Sequence, residues 1–226
     1  MKRITLLALC LVSAFVFLAL GAWQLERRSW KLDLIARVEA RVHAAPGAVP
    51  PPGQWAEINA RDQEYRRVRL TGRYRHDRDT LVDALTGRGP GAWVLTPLVT
   101  DRGTILVNRG FVPRGQEGTY TRPQGMVTVA GLLRLPEPGG RFLRPNAPDA
   151  NVWYSRDVAA IAQARGLGAV APFFVDAQAE PGAEAAYPLG GLTVLRFRNT
   201  HLIYALTWFA LAAMAAFGAW RLFREG

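Results

Sequence analysis

Cysteine is almost absent from this chain. Cys10 is the single one among 226 residues, and it lies inside an apolar run. No intramolecular disulfide is possible, whatever the redox compartment. With no Cys-x-x-Cys pair, thiol exchange and a thiolate zinc or copper site lack their ligands. With no Cys-x-x-Cys-His, a covalently attached c-type haem is ruled out as well. Histidine is scarce too, at three. Neither Gly-x-Ser-x-Gly nor His-Glu-x-x-His occurs, and no two histidines stand at ligand spacing. A hydrolase therefore has no recognisable nucleophile with a base and no metal centre. His43 and His76 sit in polar stretches and read as ordinary surface histidines. The net charge is +10, but no basic run exceeds two consecutive residues. That scatter argues against nucleic acid as a partner.

What the chain does have is two long uncharged runs. Ile4–Leu25 and Asn199–Trp220 each hold 22 residues without Lys, Arg, Asp or Glu. At about 1.5 Å per residue, each can cross a hydrocarbon core of roughly 30 Å. The first run also resembles a cleaved signal peptide, with Lys2-Arg3 ahead of it and Ala19-Leu20-Gly21 near its end. It exceeds the roughly 7–15 apolar residues of such peptides. Trp23 follows where an interfacial aromatic belongs, and the chain continues as a helix former. An uncleaved anchor is expected.

Two spans put both termini on one side and the 173 residues from Glu26 to Arg198 on the other. Lys2, Arg3, Arg221 and Arg224 flank the spans on the terminal side, and Arg27, Arg28, Lys31, Arg196 and Arg198 on the other. This count alone does not orient the chain, but long domains translocate largely regardless of charge. The termini are therefore placed in the cytoplasm. The expected division is span 4–25, helical stalk 26–45, external β-rich domain 46–198, span 199–220 and tail 221–226. The large segment carries 24 basic and 17 acidic residues. A basic domain held at a membrane reads as facing anionic lipid headgroups or an acidic partner.

Leu25, Leu32, Ile35, Val38 and Val42 recur at helical spacing, which predicts an amphipathic stalk. The Pro/Gly-rich stretch Ala44–Gly53 ends it and reads as a linker. Alternation over Tyr65–Tyr74, with Val68 and Leu70 on one face, predicts a strand. Further strands are expected over Thr80–Leu85, Ala92–Val99, Thr104–Val112, Val127–Leu135, Pro172–Ala177 and Leu192–Phe197. Asp101-Arg102-Gly103 reads as a hairpin turn. Ser155 is the expected cap of a helix over Arg156–Arg165 that Gly166 closes. The fold class is thus a membrane protein of α+β type. Two transmembrane helices flank a mainly antiparallel sheet or small barrel with one or two short helices.

Four segments, in this order, resemble the Surfeit locus protein one family, also called Shy-one-like cytochrome c oxidase assembly proteins. They are Leu20-Gly-Ala-Trp23-Gln24-Leu-Glu-Arg27 with Trp30-Lys31; Thr96-Pro-Leu98 with Leu106-Val-Asn108-Arg109-Gly110-Phe-Val-Pro113; Arg144-Pro-Asn146 with Trp153-Tyr154; and Asn199-Thr-His201-Leu-Ile-Tyr204-Ala-Leu-Thr-Trp208-Phe209. The resemblance covers nearly the whole chain. It implies an assembly factor for haem–copper oxidases, not an enzyme, that acts when haem a enters subunit I. It implies cytochrome c oxidase subunit I as partner, with haem a synthase and other oxidase assembly factors beside it, and membrane lipid around it. It also implies that His201 faces haem a. With the first span beginning at Ile4, no transit sequence fits ahead of it, so a bacterial inner-membrane location is expected.

Neutral imidazole is a good iron ligand. On a helix, Tyr204, Ala205 and Trp208 share the face of His201, and Ala212, Ala215 and Ala219 extend it. Arg196 and Arg198 suit anionic propionates; interfacial anchoring is the other reading of both. Met214 lies 13 residues on, about 20 Å along the axis, too far to serve the same iron. Trp23 and Gln24 reach the site if the two spans pack together. Asn108, Arg109 and Gly110 either position a loop or contact a partner, or serve as a satisfied backbone contact and a bulge. Two readings of His201 stand at this point: a transient, non-covalent haem ligand, and an interfacial histidine. The matching alternative function is a cofactor-free scaffold that holds oxidase subunits.

Overall fold

The computed structural model describes residues 2–179, 186–193, 197 and 199–225. Among these, the first half forms α1 (Lys2–His43), β1 (Gly47–Ala48), α2 (Ala60–Gln63), β2 (Arg67–Tyr74), β3 (Thr80–Thr86), β4 (Gly89–Thr100) and β5 (Gly103–Pro113). The second half forms β6 (Met126–Arg134), β7 (Gly140–Arg141), β8 (Arg144–Pro145), α3 (Val158–Arg165), β9 (Val170–Ala177) and α4 (His201–Arg224). The chain divides into a terminal helical pair, Met1–Arg37 with Leu195–Gly226, and a β-rich unit, Val38–Val194.

In the helical pair, residues withdrawn from the surface repeat at three and four. On α1 they are Leu7, Cys10, Ala14, Phe17, Gly21, Gln24 and Arg28; on α4 they are His201, Ala205, Trp208, Ala212, Ala215 and Ala219. This is the heptad seam of a left-handed, antiparallel pair. Phe17 stacks on Trp208 at 5.6 Å, and Arg3 donates to the carbonyl of Leu222. A side chain at Gly21 would overlap the Phe209 ring, so glycine makes room for that ring between the helices. The outer faces are apolar as well: Phe15, Ile203, Leu206 and Phe217 are all exposed. Only 11% of the most apolar window of α1 and 17% of that of α4 is buried, whereas the core helix of a water-soluble protein is mostly buried. Both helices are long and apolar enough to cross a membrane. α1 passes the expected span–stalk boundary without a break. The expected stalk stripe is half right: Ile35, Val38 and Val42 turn inward, whereas Leu25 and Leu32 are exposed.

The β-rich unit is built around a closed sheet. The order β2–β6–β9–β5–β4 returns to β2, because Gly72–Tyr74 pairs with Leu98–Thr100. Closure removes free edges. β3 extends the sheet from β4 as a hairpin, and β1 lies parallel to the start of β2. Most pairs are antiparallel; β5 and β9 are parallel. A parallel pair needs a crossover, and that crossover carries α3. Alternation decides the two faces. Val68, Leu70, Leu98, Ile105, Val107, Val129, Leu133, Phe173 and Val175 fill the barrel. Leu95, Leu106 and Phe174 turn outward, where Trp153, Val158 and Ile161 cover them.

Three expectations are corrected here. Ala44–Gly53 is not a free linker: Val49 enters the barrel core, and Trp55 Nε1 donates to the Pro50 carbonyl. The cap of α3 is Asp157, which accepts from the Ala160 amide at 3.1 Å; Ser155 instead donates to the Glu137 carbonyl and is buried. Leu192 and Thr193 form no strand, and residues 194–196 of that expected strand lie outside the described residues. A Cβ at Gly72 would overlap the Val99 carbonyl at the closing pair. Gly72→Ala should therefore open this closure and cost about 1–3 kcal/mol. Gly118→Ala, which meets nothing, should stay within about 0.5 kcal/mol. Thermal melts of both variants in detergent compare them directly.

Candidate functional site

The heptad seam places one polar pair at the first turn of α4. Gln24 Oε1 lies 2.8 Å from His201 Nδ1. An amide oxygen accepts only, so Nδ1 carries the proton and donates. In the neutral ring Nε2 is then the unprotonated nitrogen, with its lone pair in the ring plane. Among the described residues Nε2 has no hydrogen-bond partner, and His201 is half-buried. Asn199 Oδ1, just ahead of the helix, is buried without a partner among the described residues.

The other expected site residues divide around this pair. Trp208 lies in the seam against Phe17. Tyr204 and Trp23 are 55% and 51% exposed, on faces turned away from the seam. Trp23 lies 6.0 Å from the Arg27 guanidinium, which also covers Trp30 at 4.9 Å. Arg196 and Arg198 lie outside the described residues. Phe197 between them meets the Lys31 ammonium at 5.4 Å. Among the described residues, no group of three or more His, Cys, Asp or Glu is placed to hold a metal ion.

In the β-rich unit, Asn108-Arg109-Gly110 is a bulge. Val94 pairs with Gly110 and Leu95 with Asn108, so Arg109 is the extra residue. Gly110 has φ +138, and a Cβ there would overlap the Leu189 carbonyl, so only glycine fits. The bulge sends its two polar side chains into separate clusters. Asn108 Nδ2 donates to Asp176 at 2.8 Å, and its Oδ1 accepts from the Gly110 amide at 3.2 Å. Arg109 lies over the rings of Tyr74 and Tyr120, at 5.1 and 5.8 Å, and donates to the Thr121 carbonyl. Both Asn108 and Arg109 are buried, with these contacts inside the β-rich unit. Tyr120 donates to Asp79, and burial raises its hydroxyl pKa. His76 belongs to the same cluster. It is largely buried, with Nε2 bonded to the Pro123 carbonyl, which corrects its reading as a surface histidine.

Asp176 gathers residues that no sequence motif joins. It sits on the outer barrel face, cross-strand from Asn108 and Leu132. It accepts from Arg134 at 2.8 Å, Arg156 at 3.2 Å and Thr193 at 3.0 Å. Arg156 also forks onto Glu137, and Arg134 approaches Glu64 at 3.5 Å. Both guanidiniums lie against the Phe174 ring. Burial would lower the Arg134 pKa, but Asp176, Tyr65 and Glu64 together raise it. Burial would raise the Glu137 carboxyl, but Arg156 holds it below the usual range. Asp176, Asn108, Arg134, Arg156 and Thr193 line a cavity of about 210 Å³ with Trp93 on its wall. Its charged lining is one acid and two arginines, with Glu137 on Arg156 and Glu64 beside Arg134 as further acids of the network. Alternation alone places Asp176 and Arg134 on the outer face; only the position of α3 reveals what covers them.

The sequence model of the SURF1 family matches residues 11–213. That is most of the chain. The chain belongs to the SURF1 family. It is 39% identical to the mouse protein named Surfeit locus protein 1 over 92% of this chain and 72% of the relative. Against the human protein of that name the identity is 38%, over 95% of this chain and 75% of the relative. Against a SURF1-like protein of Monosiga brevicollis it is 36%, over 88% and 80%.

The Asp176 network makes two predictions. Asp176→Ala leaves two buried guanidiniums without their shared carboxylate, and should cost this SURF1-family chain about 3–5 kcal/mol. The loss is read from the thermal midpoint or the yield of folded protein. The depressed Glu137 pKa contributes stability that is fully present above the unfolded carboxylate pKa and lost as pH falls through the lower folded value. Glu137→Gln should therefore weaken the protein at neutral pH and flatten its acid-unfolding curve; an unchanged curve would contradict the assignment.

Proposed function

We propose that this chain is a membrane-anchored assembly factor for haem–copper oxidase, without catalysis of its own, that holds haem a through His201 before it enters subunit I. Membership of the SURF1 family supports the oxidase assembly role. The observation that carries the finer reading is the Gln24–His201 pair. Gln24 fixes the tautomer in which Nε2 is the free donor nitrogen. The residues present fit haem iron at that one atom. Bound there, haem a would bring its iron and its two anionic propionates.

The chain's own residues do the rest. Gln24 orients the imidazole and keeps Nδ1 protonated. The seam of small residues locks α4 against α1, so His201 cannot swing on a mobile helix. The apolar outer faces suit a lipid surround, in which a hydrophobic macrocycle with a long tail is soluble. Arg196 and Arg198 precede His201 closely enough in sequence to meet propionates.

One observation favours the alternative of a cofactor-free scaffold. The same Gln24–His201 bond lies in a tightly packed seam, where polar pairs also serve as interhelical glue. The two readings differ in spectrum. Protein purified in detergent from cells that make haem a should carry a haem absorption band. His201→Ala should abolish that band and keep the fold. Gln24→Leu should weaken haem affinity by about 10–100-fold, as loss of a ligand's hydrogen-bonding partner does. Full haem occupancy in His201→Ala would remove His201 as the ligand, and a haem-free wild type that still co-purifies with the oxidase subunit would favour the scaffold.

A further inference from the structure

The hairpin of β7 and β8 exposes its tip completely. Arg141-Phe142-Leu143-Arg144 turns with Leu143 at φ +59, and Phe142 and Leu143 are 91% and 84% exposed. A non-glycine residue rarely holds a left-handed conformation without a reason. Two bulky apolar side chains pointing into water at a turn are a second cost. The hairpin is anchored: Gly140 pairs with Pro145, Arg141 reaches Asp83 at 3.6 Å, and Arg144 lies over the Tyr154 ring at 5.6 Å. It is a built feature of the unit and not a loose loop.

Its anchor joins it to a second exposed group. Asp83 and Leu85 share one face of β3, and Leu85 is 76% exposed. Leu85 lies beside the β3–β4 turn, which carries the exposed Arg88. Arg114, whose amide bonds the Pro90 carbonyl at that same turn, also reaches Asp83, at 3.7 Å. Asp83 thus joins the neighbourhood of Phe142 and Leu143 to that of Leu85, and Arg88, Arg114, Arg141 and Arg144 lie along the same stretch of surface. Asp83 and Glu117, whose carboxyl feels Arg114, are the acids set against them. This patch is net positive.

We infer that this patch docks on an anionic lipid surface, with Phe142 and Leu143 entering the headgroup region and the arginines meeting lipid phosphates. Aromatic and aliphatic tips flanked by arginine suit that interface, where one end of the contact is apolar and the other charged. Three side chains offer about half of the roughly 800 Å² per partner that a stable protein interface needs. Lipid asks for no such area. Each arginine near an anionic surface contributes on its own. The inference rests on the membrane-anchored reading above, since tethering supplies the effective concentration that makes so small a contact count.

The test uses the full chain with Cys10→Ser, carrying one nitroxide label at Phe142→Cys, Met126→Cys or Leu206→Cys. Each is reconstituted in vesicles of phosphatidylcholine, with or without phosphatidylglycerol. Collision rates with oxygen and with a water-soluble nickel complex report lipid or water around the label. Leu206 lies on the apolar outer face of α4 and should report lipid throughout. Met126, the exposed first residue of β6, pairs with Arg73 of β2, which pairs with Val99 at the end of β4 away from the patch, and it should report water throughout. The label at Phe142 should report lipid in phosphatidylglycerol vesicles. Its lipid-facing population should fall about five-fold for each of Arg141→Gln and Arg144→Gln. A Phe142 label in water in both lipids, with Leu206 in lipid, overturns this inference alone and leaves the patch to a protein partner. Insertion that ignores both lipid charge and the arginines overturns the anionic-lipid assignment. A Leu206 label in water removes the membrane reading and this inference with it.

Discussion

The β-rich unit depends on one buried carboxylate. Asp176 binds Asn108, Arg134, Arg156 and Thr193 at once. Through these contacts it ties β9 to β5 and β6, and all three to the chain ahead of α3. A lone carboxylate so placed would be expensive to desolvate; two guanidiniums and an amide offset that cost. The arrangement fixes register, because a one-residue slip of β9 would turn Asp176 into the apolar barrel and Phe173 out of it. The bulge at Asn108-Arg109-Gly110 is part of the same constraint. It lets Asn108 face Asp176 while Arg109 reaches a separate cluster with Tyr74 and Tyr120.

The helical pair rests on a different kind of contact. Its outer faces are as apolar as its seam, so the hydrophobic effect gives no direction to the association if lipid surrounds it. Close approach and polar bonding supply the direction. Gly21 and the alanines at 205, 212 and 219 remove bulk from the seam. The Gln24–His201 bond sets the register, since a slip along the heptad would leave both polar groups among apolar neighbours. The same bond that orders the helices leaves His201 Nε2 free. Structural and ligand roles therefore meet in one residue pair.

Much of this was legible in the sequence. The two uncharged runs, the alternation of Val68 and Leu70, the Asp101–Gly103 turn and the bulge at Gly110 all follow from local periodicity and backbone preference. The failures have local causes as well. Ser155 and Asp157 are both good helix caps, and composition cannot choose between two candidates two residues apart. Ala44–Gly53 reads as a linker because proline and glycine forbid helix, yet they do not forbid packing, and Val49 is buried. His76 looks solvated among charged neighbours, but the chain around Pro123 covers it. Arg134, Glu137, Arg156 and Asp176 are scattered over more than forty positions, and no motif joins them.

Sequence by itself determined what each segment is able to be. Length and absence of charge set the two long helices, alternation set the strands, and the shortage of cysteine and histidine removed whole classes of chemistry. The shared segments also set the family. The tertiary structure alone decided which of these residues meet. Heptad packing put Gln24 against His201 and turned Trp23 and Tyr204 away, although Trp23 adjoins Gln24 in sequence and Tyr204 is one turn from His201. Barrel closure and the β5–β9 crossover brought Asp176 to its two arginines. The reason is common to both: a side chain's direction is a local property, but its partner is set by how distant elements are registered, and nearest neighbours in sequence do not carry that information.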